Sequence, residues 1–156
     1  MKNLELKKQQ RSFLKLNRII ISIVFLIICL AIVILQLFKS IELLHIGIIL
    51  INVLVLYILI YLYQGAAYKY FSYAMNEHGL YINRGVLWRR KIVVPRNRVQ
   101  HTDVNQGPIE RKYDLAELIV HTAGTRNASV KLPGILHKDA EKLRESLSFD
   151  ESNDAV

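Results

Sequence analysis

Between residues 19 and 63 the chain is almost wholly apolar and shows no polar face. Residues 19–38 form a first run without Pro, Gly or charge, interrupted only by Ser22, Cys29 and Gln36. Residues 43–63 form a second, with His45 near its start and Gly47 and Asn52 further in. Lys39, Ser40, Ile41 and Glu42 separate the two. Each run has the roughly 20 residues that carry a helix across about 30 Å of hydrocarbon. In lipid a helix pairs every backbone N–H and C=O within its own segment. The pattern predicts two transmembrane helices joined by a tight turn. A buried helix pair of a soluble domain is the alternative, and it would show a polar stripe that neither run has.

From residue 68 the pattern breaks into short alternating runs. Strands are predicted at 70–76, 80–84, 86–94, 98–104, 116–122 and 129–132. Glu77-His78-Gly79, Gly85, Pro95, Gln106-Gly107-Pro108, the loop at 123–127 and Pro133-Gly134 punctuate them. Pro108 suits the first position of a short helical turn. Ala116, Leu118, Val120 and Thr122 share one face of the fifth strand. Leu136, Ala140, Leu143 and Leu147 then form a single stripe at i, i+4, i+7 and i+11, one amphipathic helix. Residues 149–156 are acidic and read as a disordered tail. The expected fold is a two-helix transmembrane hairpin followed by a mainly-β barrel or sandwich capped by one C-terminal helix. The expected division is a basic N-terminal segment at 1–18, the hairpin at 19–63, a domain at 64–148 and the tail at 149–156.

Charge orients this plan. The net charge is +8 over 156 residues. Lys2, Lys7, Lys8, Arg11, Lys15 and Arg18 precede the first helix against the single acid Glu5. Such a flank marks the cytoplasmic side and is drawn to anionic lipid by about 1 kcal/mol per well-placed cation. A short amphipathic surface helix and an unstructured basic tail both fit residues 1–18. Lys69, Arg84, Arg89, Arg90, Lys91, Arg96 and Arg98 follow the second helix. Both flanks assign the two termini to the cytoplasm and the turn to the outside. Tyr57, Tyr61, Tyr63 and Tyr68 sit where interfacial aromatics gather. Asn52 and His45 mark either a polar pathway or, for Asn52, a bond across to the partner helix with His45 at the outer headgroups. The first run is too long for a signal peptide and ends without small residues. A lone cysteine, Cys29, allows no intrachain disulfide. What remains outside the hairpin is roughly the size of one small domain with a single modest core.

The chemistry is sparse. His101 and Asp103 lie two apart on a strand and share a face, as a base and its orienter would, yet no nucleophile or Gly-rich phosphate loop accompanies them. Histidines 45, 78, 101, 121 and 137 lack metal-ligand spacing. No metal or cofactor is expected. Residues 127–129 match a glycosylation pattern on the wrong side of the membrane. The basic run lacks a recognition helix or an RNA-stacking motif, so nucleic acid is not expected as a partner. The stretch 84–98 carries Arg84, Arg89, Arg90, Lys91, Arg96 and Arg98 and no acid. Alternation turns Arg89 and Lys91 one way and Trp88 and Arg90 the other. Arg84, Arg89, Lys91, Arg96 and Arg98 are the candidate lipid or partner contacts. A solvated face that merely obeys the positive-inside bias is the alternative.

A wider set of residues carries a resemblance. Gly79-Leu80-Tyr81-Ile82, Arg84-Gly85-Val86-Leu87-Trp88-Arg89-Arg90, Val94-Pro95 and Arg98-Val99-Gln100-His101-Thr102-Asp103-Val104 lead into Gln106-Gly107-Pro108-Ile109-Glu110-Arg111. Leu115-Ala116, His121-Thr122-Ala123-Gly124 and Leu132-Pro133-Gly134-Ile135 follow. Residues 68–147 resemble the bacterial pleckstrin-homology (PH)-like domain of the YdbS type, and the preceding hairpin fits the same group. Thr125 and His78 depart from its usual pattern, outside the signature. The resemblance implies a PH-like barrel closed by a helix, in the inner membrane of a bacterial cell. It implies no ligand, and as partner a larger membrane protein with related PH-like domains. Pro95, Gln100, Gln106, Gly107, Pro108, Glu110 and Arg111 are signature residues, read as structural. Gly107 would relieve backbone strain at a corner that Pro108 fixes, and Glu110 and Arg111 would tie it to neighbouring strands. The expected function is a binding or scaffolding module and not an enzyme. Its first form is assembly with a membrane partner or with copies of itself; its second is direct binding of anionic headgroups or a small ligand.

Overall fold

Helix propagates past the apolar runs at both outer ends in the computed structural model, which describes residues 6–38, 42–123 and 129–148. Helix α1 spans Arg11–Phe38 and α2 spans Leu43–Tyr70. Arg11, Lys15 and Leu16 are good helix formers, and so are Ala66 and Ala67 at the far end of α2. Residues 39–41 of the predicted turn at 39–42, residues 124–127 of the loop at 123–127 and the tail at 149–156 lie outside the described residues. The chain divides into two compact units, residues 14–66 and residues 67–148 together with 6–13.

In the first unit both helices are long and apolar enough to cross a membrane. Large apolar side chains stay exposed, Leu26 at 64% and Leu62 at 63%, so hydrocarbon is the solvent that suits them. Several polar side chains bond within the pair. Ser22 donates its hydroxyl to the Arg18 carbonyl at 2.9 Å, which leaves the Tyr57 hydroxyl to donate to Ser22 Oγ at 3.0 Å. Phe25 packs on Tyr57 with centroids 4.5 Å apart, and the Arg18 guanidinium lies 4.2 Å over the Tyr61 ring. Among the described residues Asn52 makes no bond across the pair. Its amide donates to the Ile48 carbonyl of its own helix at 2.8 Å. His45 stays exposed beside Glu42, with Nδ1 3.5 Å from Oε2.

The second unit holds two antiparallel sheets of three strands. Strands β1 (Ser72–Asn76), β2 (Gly79–Arg84) and β3 (Arg90–Pro95) make the first. A 3₁₀ turn at Arg96–Arg98 leads into β4 (Val99–Asn105), β5 (Leu115–Thr122) and β6 (Ser129–Leu136). A short helix α3 (Pro108–Lys112) joins β4 to β5, and α4 (His137–Ser148) closes the unit against β4, β5 and β6. This is the expected PH-like sandwich with its capping helix. Leu80, Ile82, Leu115, Leu118, Val120, Leu132 and Ile135 are fully buried between the layers. Ala140 and Leu147 join them from α4, while Leu143 packs at the margin.

Three strand boundaries differ from the pattern-based reading by two residues or more. The first strand begins at Ser72, because α2 runs on to Tyr70. The third begins at Arg90 rather than at 86, because Gly85 takes φ 111° and opens a loop over Val86, Leu87 and Trp88. A Cβ on Gly85 would clash with the Trp88 carbonyl oxygen, so only glycine fits there. The sixth strand continues through Pro133-Gly134. Leu132 pairs with Leu118 and Ile135 with Ala116, which leaves one extra residue on β6. That is a bulge on an edge strand, where a proline without N–H is tolerated and Gly134 takes φ 73°.

Of the N-terminal segment, residues 6–10 are neither a loose tail nor a surface helix. Lys7 and Tyr73 exchange both backbone bonds at 2.8 Å, which covers the free edge of β1. Gln9 donates its amide to the Pro133 carbonyl at 2.9 Å, and the Gln10 N–H donates to the Gly134 carbonyl at 2.8 Å. The segment thereby links one sheet to the bulge of the other.

Candidate functional site

The edges of β3 and β6 bound an open cleft of about 520 Å³. Ile92, Val94 and Val130 give it an apolar floor, with Val94 and Val130 buried. Strand alternation explains the rest. Arg90, Ile92 and Val94 share one face of β3, so the arginine ends an inward row and stands at the rim. Arg84 closes β2 directly opposite Arg90 in the antiparallel register. Arg98, from the 3₁₀ turn, and Lys131, from β6, add two further cations. No carboxylate is among the lining residues. Lys131 Nζ lies 3.7 Å from Glu117 Oε2, so it is partly neutralised. Like charges directly opposite on paired strands repel. The cleft concentrates positive charge over apolar ground, the arrangement that accepts a phosphate-type anion.

Of the residues singled out in the sequence, Arg84 and Arg98 line this cleft and Arg89, Lys91 and Arg96 do not. Arg89 precedes the strand and holds its guanidinium 5.1 Å over the Tyr70 ring. Lys91 is exposed on the face of β3 opposite Arg90. Arg96 is half-buried in the turn, where its N–H donates to the His78 carbonyl at 3.3 Å. Sequence reasoning left out Arg90 and Lys131. Arg90 was assigned to the less interesting side of a strand that starts later than expected, and Lys131 lies on a strand whose place beside β3 has no local signal.

The signature residues build a corner next to the second sheet. Pro95 lines the cleft where β3 ends, and Gln100 is exposed where the β4–β5 register shifts. Gln106 donates its amide to the Leu115 carbonyl at 2.9 Å. The Gly107 N–H donates to Glu110 Oε2 at 2.8 Å, and Pro108 takes the first position of α3. Glu110 therefore caps its own helix instead of tying the corner to a neighbouring strand. Gly107 has an ordinary φ of −69°, so backbone strain does not call for glycine. What glycine allows is close approach: a Cβ there would meet Glu110 Oε2 at 3.3 Å. Arg111 is exposed.

The comparisons with known proteins agree with this architecture. A family model described as Bacterial PH domain matches residues 12–150. The UPF0699 transmembrane protein YdbS of Bacillus subtilis (strain 168) is 36% identical over 81 residues, covering 52% of this chain and 49% of that protein. The chain thus spans about half the length of that relative in the match. No solved structure matches.

Proposed function

The chain belongs to the bacterial PH domain family, and we propose that it is a membrane-anchored binding module whose cleft takes the phosphate of an anionic lipid headgroup. The observation that carries this reading is the Arg84–Arg90 pair. Two guanidiniums on facing positions, with Arg98 and Lys131 on the same cleft, repel until an anion sits among them. Arginine forks suit phosphate oxygens, which they bind in pairs. The helices tether the domain to the bilayer by a short connection, since Phe71 alone separates α2 from β1. The module acts by binding and not by catalysis. Lys7 pairing with Tyr73 supports placing both sides of the helix pair on one face of the membrane, and the basic flanks favour the cytoplasm of the bacterial cell.

Assembly on a larger membrane protein, or on a second copy, is the second reading. The main-chain edge of β3, and that of β6 ahead of Pro133, favour it, because an unpaired edge accepts an added strand. One experiment separates the two. The full chain in detergent is titrated with short-chain phosphatidylglycerol and with short-chain phosphatidylcholine, followed by calorimetry. Headgroup binding predicts saturable heat with the anionic lipid alone, weakened about tenfold or more, or about 1.4 kcal/mol, by Arg90→Gln. Equal response to both lipids in the wild type and the variant sinks the headgroup reading and leaves assembly.

A further inference from the structure

On strands β4 and β5, three side chains converge that the proposed function does not use. His101 and Asp103 are two apart on β4 and therefore share a face. His121 on β5 stands in register with His101. The two imidazoles stack with centroids 4.1 Å apart and planes 12° from parallel. His121 Nε2 lies 3.1 Å from Asp103 Oδ2. One ligand atom from each of the three residues falls within 4.8 Å of the others. His101 and Asp103 are exposed and His121 half-exposed, so a dissolved ion reaches them without any opening of the fold.

We propose that His101, Asp103 and His121 form a binding site for a divalent transition-metal ion of the zinc class. The donor set decides the class. Two imidazoles and one carboxylate suit Zn²⁺, Co²⁺ or Ni²⁺, whereas Mg²⁺ and Ca²⁺ favour shells made of oxygen. The geometry decides the feasibility. Ligands at about 2.0–2.1 Å around a tetrahedral ion lie about 3.3 Å from one another. The present atoms lie within 4.8 Å of one another, so the proposal requires side-chain rotation to draw them to that spacing. An ion between His121 Nε2 and Asp103 replaces their hydrogen bond with two coordinate bonds, and the imidazole proton then resides on Nδ1. Three protein ligands leave a position open to water or to an acidic group of another molecule. The ion bridges β4 and β5 across their register, so it stabilises the sheet when bound.

The test uses the untagged full chain in detergent, stripped with a chelator and titrated with Zn²⁺ by calorimetry and with Co²⁺ by visible absorption. One equivalent binds to the wild type, and the melting temperature rises with Zn²⁺. His101→Ala, His121→Ala and the near-isosteric Asp103→Asn each weaken binding by at least about tenfold, since even a lost outer-shell partner costs on that order. His78→Ala, elsewhere on the domain, leaves binding unchanged. Melting of each variant in chelator establishes that it is folded. No Zn²⁺ heat in the wild type overturns the proposal. So does binding in folded His101→Ala and His121→Ala variants as tight as in the wild type.

Discussion

Arg84 and Arg90 face each other across the β2–β3 hairpin, the last residue of one strand opposite the first of the next. A hairpin built for stability would not put two guanidiniums there. The first prediction follows from that opposition. Arg90→Gln should raise the melting temperature of the anion-free protein, by an amount that reflects about 0.2–1 kcal/mol of relieved repulsion. The same variant should lose affinity for short-chain phosphatidylglycerol. Stability and binding therefore move in opposite directions. A variant that melts lower in phosphate-free, low-salt buffer would show that Arg90 is held by packing instead.

The loop between those strands makes the second prediction. Leu87 is 77% exposed and Trp88 80% exposed, beside Arg89 and Arg90. An indole flanked by cations is suited to the headgroup boundary of an anionic membrane. Trp88 is the single tryptophan of the chain, so its emission reports this loop alone. In nanodiscs containing phosphatidylglycerol the emission should move to shorter wavelength and be quenched by lipid-attached quenchers. Emission that stays at the water-exposed wavelength in anionic discs counts against membrane contact by the loop.

How far the sequence showed this structure depends on the range of each signal. The helix pair was legible because a run of about 20 apolar residues without a polar face has few other uses. The capping stripe Ala140, Leu143 and Leu147 was legible for the same local reason, as was Pro108 at the start of α3. The late start of β3 was not, because Val86, Leu87 and Trp88 have strand-like side chains and only the backbone of Gly85 excludes them. Pro133-Gly134 reads as a strand end, and only the pairing with β5 shows a bulge. The cleft and the histidine cluster were out of reach for one reason. Lys131 and Arg90 line one cleft through the packing of two sheets, and His121 meets His101 through strand register, and no spacing along the chain encodes either.

Packing of α4 gives the third prediction. Leu147 is 3% exposed within the core, while Leu143 lies at its margin. Leu147→Ala should cost about 2–5 kcal/mol, a large part of the roughly 5–15 kcal/mol that holds a small domain. Leu143→Ala should cost less, because solvent already reaches part of the side chain. Thermal melts of the two variants, followed by near-ultraviolet circular dichroism, give the order. A larger loss at Leu143 would mean that α4 sits on the sheets with a different face.

The fourth prediction concerns pH. Tyr73 is buried beneath the N-terminal segment, and burial pushes its phenol up to about 12, with the nearby negative charge of Asp139 adding to the shift. In the unfolded chain the same phenol ionises near 10. Folding thus favours the protonated form. Below pH about 10 the phenol is neutral in both states, and its contribution is fully present. As pH rises from about 10 to about 12 the unfolded chain releases its proton first, and stability falls through that window. Above about 12 both states are ionised and this group costs nothing more. Tyr73→Phe has no proton to lose, so its melting temperature should fall less than that of the wild type between about pH 9 and about pH 11.5. Asp139→Asn should lie between them, since it removes the smaller cause and leaves the burial. All other groups are common to the three proteins and cancel in the comparison. Parallel melting curves for wild type and Tyr73→Phe across this range would show that the phenol ionises in the folded domain as freely as in water.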